Sequence, residues 1–111
     1  MKTIKSKKEF EQVFSGGRRA NTRLVRITCM KVDPSEDGKV AFVAAKRLGN
    51  AVYRNRCKRV LREAARECGL PACGWKLILF ATNKTHDSNP HEVGKALTGL
   101  LSRVGVDSLA E

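Results

Sequence analysis

The sequence predicts an α+β domain in which three helices pack on one mainly antiparallel sheet. Three observations carry this. Apolar residues recur at helical spacing in three stretches, each opened by a capping residue. In three other stretches they alternate, or run on over a strand length. The order is helix, two strands, helix, strand, helix, which suits helices packed on a sheet rather than an alternating parallel fold. With 111 residues, the chain is expected to form a single domain, residues 1–111, and to bury roughly two-thirds of its unfolded surface.

Ser6 and Glu9 have the spacing of a capping box, Phe10, Val13 and Phe14 follow at helical spacing, and Gly16 and Gly17 end the run, so a first helix is expected over Lys7 to Ser15. Thr22 to Val32 alternates. Val25, Ile27 and Cys29 fall on one side, with Leu24, Arg26, Thr28 and Met30 on the other, as in a half-buried strand. The polar segment Asp33 to Gly38 is a turn before a second strand, Lys39 to Lys46. Asn50 is a good N-cap, and Ala51 to Cys68 runs without Gly or Pro until Gly69, giving a long second helix. Trp75 to Thr82 has the composition of a buried strand. In the last helix Asn89 caps, Pro90 takes the first position and Glu92 the third. Val93, Leu97, Leu100, Leu101 and Val104 form its stripe, and Gly105 closes it.

The charge balance points to a polyanionic partner. The chain has 22 Lys and Arg against 11 Asp and Glu, a formal charge of +11. Such an excess costs stability through self-repulsion and is usually retained for nucleic acid or, less often, an anionic membrane surface. The amino terminus lacks the continuous apolar segment of a secretory signal, and the longest apolar stretches, Val40 to Ala45 and Leu77 to Ala81, are strand-sized. They fall far short of the roughly 18 residues a membrane helix needs. A cytoplasmic protein is expected.

The charge is concentrated on the second helix. At about 100° per residue, Arg54, Lys58, Arg62, Arg66, Arg59 and Arg56 form one continuous arc. Cys57, Val60, Leu61, Ala64 and Cys68 occupy the opposite arc, with Tyr53 beside them. An ordinary solvated helix would interleave acids at i,i+4, but here Glu63 and Glu67 stand alone among the cations. Lys46 and Arg47 precede the helix start, where free N–H groups and the dipole favour phosphate. Arg54 and Arg56, two apart, point to different flanks, and a guanidinium can hold two phosphate oxygens or stack on a base. The acids lie elsewhere: Asp33, Glu36 and Asp37 in the turn, Glu9 and Glu92 at caps, Asp107 and Glu111 in the tail.

Catalytic chemistry is hard to place on this chain. It has no paired carboxylates in an apolar setting, no Ser-His-Asp ordering and no Gly-rich phosphate loop. Cys29, Cys57, Cys68 and Cys73 form no C-x-x-C pair, and His86 and His91 stand apart, so zinc spacing is absent. Buried reduced thiols are the expectation.

The segment Lys46 to Ala64, KRLGNAVYRNRCKRVLREA, closely resembles the Arg-Asn-Arg signature of the bacterial ribonuclease P proteins. The signature is long and has fixed spacing. Ile4, the Phe10, Val13, Phe14 helix and the strand Trp75 to Ala81 extend the likeness along nearly the whole chain. The resemblance implies the ribosomal protein S5 domain 2-like fold: a central mainly antiparallel sheet, three helices, and a left-handed βαβ crossover through the basic helix, against the usual hand.

It further implies that Lys46, Arg47, Asn50, Arg54, Asn55, Arg56, Lys58, Arg59, Arg62 and Arg66 contact a catalytic RNA. A cleft between first helix and sheet, with Phe10, Phe14, Arg26 and Thr28, would receive the single-stranded 5′ leader of precursor tRNA. Family members often carry an aromatic near the position of Thr28; the segment Thr22 to Val32 has none, leaving Arg26 to substitute by charge. Plain core packing is the other reading of Phe10 and Phe14. The implied activity is endoribonucleolytic, with Mg²⁺ held mainly by the RNA, no catalytic or metal-binding residue on this chain, and no obligatory protein partner. A structural RNA-binding protein without a part in cleavage, or a DNA-binding regulator, would also explain the charge, though neither explains the full signature.

Overall fold

The computed structural model describes residues 1–106; Asp107 and Glu111 lie outside the described residues. Ser6 opens α1 (Lys7–Gly16), its hydroxyl accepting the Glu9 N–H at 3.3 Å. The Glu9 carboxylate does not complete the expected reciprocal cap. It lies 2.7 Å from Lys76 Nζ and 3.2 Å from Lys39 Nζ, tying the helix to the sheet beneath. Hydrogen bonding to Lys76 first, and to Lys39 as well, holds its carboxyl below the usual range against the opposing effect of burial.

Gly17 then turns the chain; a Cβ there would sit 2.7 Å from the carbonyl oxygens of Cys29 and Val13. A short strand follows, β1 (Arg18–Asn21), antiparallel to β2 (Val25–Lys31). This corrects the single strand expected from Thr22 to Val32. Thr22 accepts the N–H groups of Leu24 and Val25 on its hydroxyl, both at 3.2 Å, and so closes a hairpin. A β-branched residue that suggested strand serves here as a turn residue.

β3 (Lys39–Val43) pairs in parallel with β4 (Trp75–Ala81), and β4 pairs antiparallel with β2, giving the order β1-β2-β4-β3. β3 ends before the expected Lys46, and Lys46–Leu48 forms a single 3-10 turn instead. Asn50 Oδ1 accepts the Tyr53 N–H at 2.9 Å and starts α2 (Ala51–Glu67), which makes the crossover from β3 to β4. Cys68 is its C-cap. α3 (Pro90–Val104) is capped by Asn89, whose Oδ1 accepts the Glu92 N–H at 2.9 Å, and ends at Gly105 with φ 89°. Beyond the sheet, Ile4 N–H donates to Val40 O at 2.9 Å and Val40 N–H to Lys2 O at 3.2 Å, so the amino-terminal segment covers the outer edge of β3.

Strand register separates two unlike faces. Val25, Ile27, Cys29, Val40, Leu77 and Leu79 are buried under α2 and α3, whose Leu61, Ala64, Val93, Leu97, Leu100 and Leu101 complete the core. Each fully buried Val or Leu there contributes about 1.5–3 kcal/mol. The other face carries Arg19, Asn21, Arg26, Thr28, Ile78 and Phe80. Among the described elements α1 covers it, and of α1 Val13 alone is buried. One face is thus a closed core and the other is half open.

Cys29 and Cys57 are buried as expected, and burial pushes both thiols, with that of Cys68, to higher pKa. Cys68 is only half-buried, its Sγ 3.3 Å from Gly94 O of α3. Cys73 is exposed, contrary to expectation, because it lies in the turn that leads into β4. Among the described residues no helix is long and apolar enough to cross a membrane.

Candidate nucleic-acid interface

α2 presents its cations to solvent while Cys57, Val60, Leu61, Ala64 and Ala65 anchor its other side in the core. Arg56, Arg59, Arg62 and Arg66 are exposed and Arg54 and Lys58 half-buried. Three contacts orient guanidinium groups. Arg54 Nε donates to Gly49 O and Arg56 Nε to His86 O, each at 3.1 Å, and Arg62 lies 5.4 Å from the centre of the Phe42 ring. Among the described residues, only Arg66 of these cations has an acid partner, the Glu63 carboxylate.

Val52, Asn55, Arg56, Arg59 and Arg62 line one shallow depression of about 540 Å³. Val52 is 79% exposed, an apolar surface in the middle of the cations that helical periodicity alone gives no reason to single out. Arg54 and Lys58 are not among the residues lining this depression. Lys46 and Arg47 stand exposed on the 3-10 turn before the helix, and Asn50 is exposed with its oxygen committed to the cap.

The second predicted site is a cleft on the half-open face, about 170 Å³, lined among others by Phe14, Arg19, Asn21, Arg26, Thr28 and Phe80. Thr28 is 2% exposed and lies at its floor. Phe14 is 43% exposed, which argues against a purely core role. Phe10 does not line the cleft; its ring stacks on Phe14 at 6.2 Å and supports it.

Two residues here escape sequence reasoning. Phe80, opposite Arg26 in the β2–β4 register, stands 6.0 Å from Phe14 and supplies the aromatic wall that β2 lacks. Arg19 sits over Phe14, its guanidinium carbon 4.9 Å from the ring centre, and donates to Phe14 O at 3.0 Å. Period-two alternation places Phe80 with Lys76 and Ile78, but only strand pairing reveals which face that is. The cleft combines π-faces and cations, a surface fit for stacking and charge pairing.

Comparison with known proteins agrees with this architecture. The ribonuclease P family model matches residues 1–105. The ribonuclease P protein component of Symbiobacterium thermophilum is 40% identical over 104 residues, covering 93% of this chain and 90% of that protein. That of Dehalococcoides mccartyi is 32% identical over 106 residues, covering 94% and 85%. The Staphylococcus aureus RNase P protein superposes with a TM-score of 0.76 at 22% identity, over 94% of this chain and 95% of that one. The Thermotoga maritima RNase P protein gives 0.75 at 21%, over 93% and 97%. With a match along almost its whole length and the α+β fold of these proteins, the chain belongs to the ribonuclease P family.

Proposed function

We propose that this chain is the protein subunit of ribonuclease P, working in the cytoplasm to bind a catalytic RNA and the 5′ leader of precursor tRNA during endonucleolytic leader removal. The observation that carries the reading is α2, a helix rooted in the core on one side and presenting Arg54, Arg56, Lys58, Arg59 and Arg62 on the other. No carboxylate among the described residues pairs with these five. Such a surface takes up RNA phosphates with release of counterions. Lys46, Arg47, Asn50, Asn55 and Arg66 extend it along the turn and the helix. The cleft of Phe14, Arg26, Thr28 and Phe80 takes the leader, a base stacking on its aromatic lining while Arg19 and Arg26 neutralise the backbone.

The reaction would be phosphodiester hydrolysis, for which Mg²⁺, held mainly by the RNA, would supply Lewis-acid activation of water and stabilisation of developing charge. On this chain, no three His, Cys, Asp or Glu side chains come together among the described residues. Its own contribution is electrostatic and positional.

The test is reconstitution with a bacterial ribonuclease P RNA at low Mg²⁺. Leader removal from precursor tRNA should rise when the chain is added. Equal cleavage with and without it would overturn the reading.

A further inference from the structure

The connection from β4 to α3, residues 82–89, has no part in the function proposed above, yet it is tied down on two sides. Toward the β1–β2 hairpin, the fully buried Thr85 donates its hydroxyl to Leu24 O at 2.7 Å and accepts the Thr82 N–H at 2.8 Å. Thr82 in turn donates to Arg23 O at 2.6 Å. Toward α2, the His86 ring stacks on Tyr53 with centroids 4.0 Å apart and planes within 4°. The carbonyl of the same residue, His86, accepts Arg56 Nε at 3.1 Å. The turn of the β1–β2 hairpin, through Thr85, therefore fixes a peptide group that holds a guanidinium on the exposed side of α2.

The geometry points to His86 as a positioning residue for Arg56: its stack on Tyr53 holds the carbonyl that takes Nε, leaving the two Nη groups aimed outward. No described residue hydrogen-bonds those Nη atoms. An arginine already held loses less freedom on docking than a free one. Ordering a long side chain typically weakens binding about two- to tenfold, and prior immobilisation avoids that loss. The inference rests on Arg56 contacting RNA, as proposed above. It adds a residue outside the signature segment and assigns the Tyr53 ring, beside Arg54, a mechanical role.

The experiment measures affinity for a bacterial ribonuclease P RNA as a function of salt. It compares the wild type, His86→Ala, His86→Phe, Arg56→Ala and the His86→Ala Arg56→Ala double variant. His86→Ala should weaken binding about two- to tenfold at every salt concentration, with the salt slope unchanged because the guanidinium charge remains. Arg56→Ala should weaken binding and also lower the slope by about 0.7 to 0.9. The double variant should bind no more weakly than Arg56→Ala. His86→Phe keeps a flat ring against Tyr53 and should restore wild-type affinity.

The positioning role is overturned if His86→Ala binds like the wild type while Arg56→Ala does not. Full additivity in the double variant, a lowered slope in His86→Ala, or failure of the Phe variant to rescue would each overturn it too. If Arg56→Ala itself changes neither affinity nor slope, the RNA contact proposed for Arg56 is what fails, and the positioning role falls with it.

Discussion

Replacing Arg54 and Arg56 together with Ala tests the α2 surface most directly. Each guanidinium spends its Nε on a protein carbonyl, Gly49 O or His86 O, and keeps its Nη end for a partner. Alanine at both positions should therefore remove two phosphate contacts, lowering the slope of log K against log salt by about 1.4 to 1.8. Over a fourfold rise in monovalent salt, that difference narrows the wild-type advantage by about tenfold. The assay is filter binding to a bacterial ribonuclease P RNA at fixed Mg²⁺ across that range. Lys31→Ala, at the end of β2 away from the hairpin, serves as the control and should leave the slope near the wild-type value. Parallel lines for the double variant and the wild type would show that neither arginine meets a phosphate, and the argument from the exposed face of α2 would be wrong.

Phe80→Ala removes one wall of the cleft and should weaken precursor tRNA by about 1–3 kcal/mol, the range for one stacked base. Leaderless tRNA should be unaffected, and competition between the two RNAs reads the difference. Because Glu9 is held below the ordinary carboxylate value of 4.5, the folded chain keeps it ionised where the unfolded chain takes up a proton. Its stabilising effect is complete above that value and lost as the pH falls through the depressed one. Denaturant melts should show the wild type about 1 kcal/mol more stable than Glu9→Gln near neutrality, with the gap closing in acid. Gly38→Ala would put a Cβ 2.2 Å from Ala72 O, within a backbone-to-backbone contact, and should cost about 1–3 kcal/mol in the same melts.

The helices were legible because their ends are chemically marked. Asn50 and Asn89 cap as their positions suggest, and the apolar stripe of α3 is buried residue for residue. β1 was not legible. Arg18 to Asn21 has no apolar alternation and is a strand only because β2 offers it a partner. The basic arc of α2 could be drawn from helical spacing alone, and the structure leaves it facing solvent. The cleft was half visible: Phe14, Arg26 and Thr28 could be named, but Phe80 and Arg19 enter through pairings between strands distant in sequence. The Tyr53 and His86 stack belongs to the same class, since nothing local links residues 33 positions apart.

The two margins of the sheet are guarded by different means. Along β3 the backbone groups of Val40 are already taken by Lys2 and Ile4, so no foreign strand can add there without displacing them. Along β1 protection is by charge. Exposed Arg18 and Arg19 sit on the open border, and two copies meeting border to border would bring like charges into register, an arrangement that disfavours pairing. Self-stacking into extended aggregates is opposed at both borders, by occupancy on one side and by repulsion on the other.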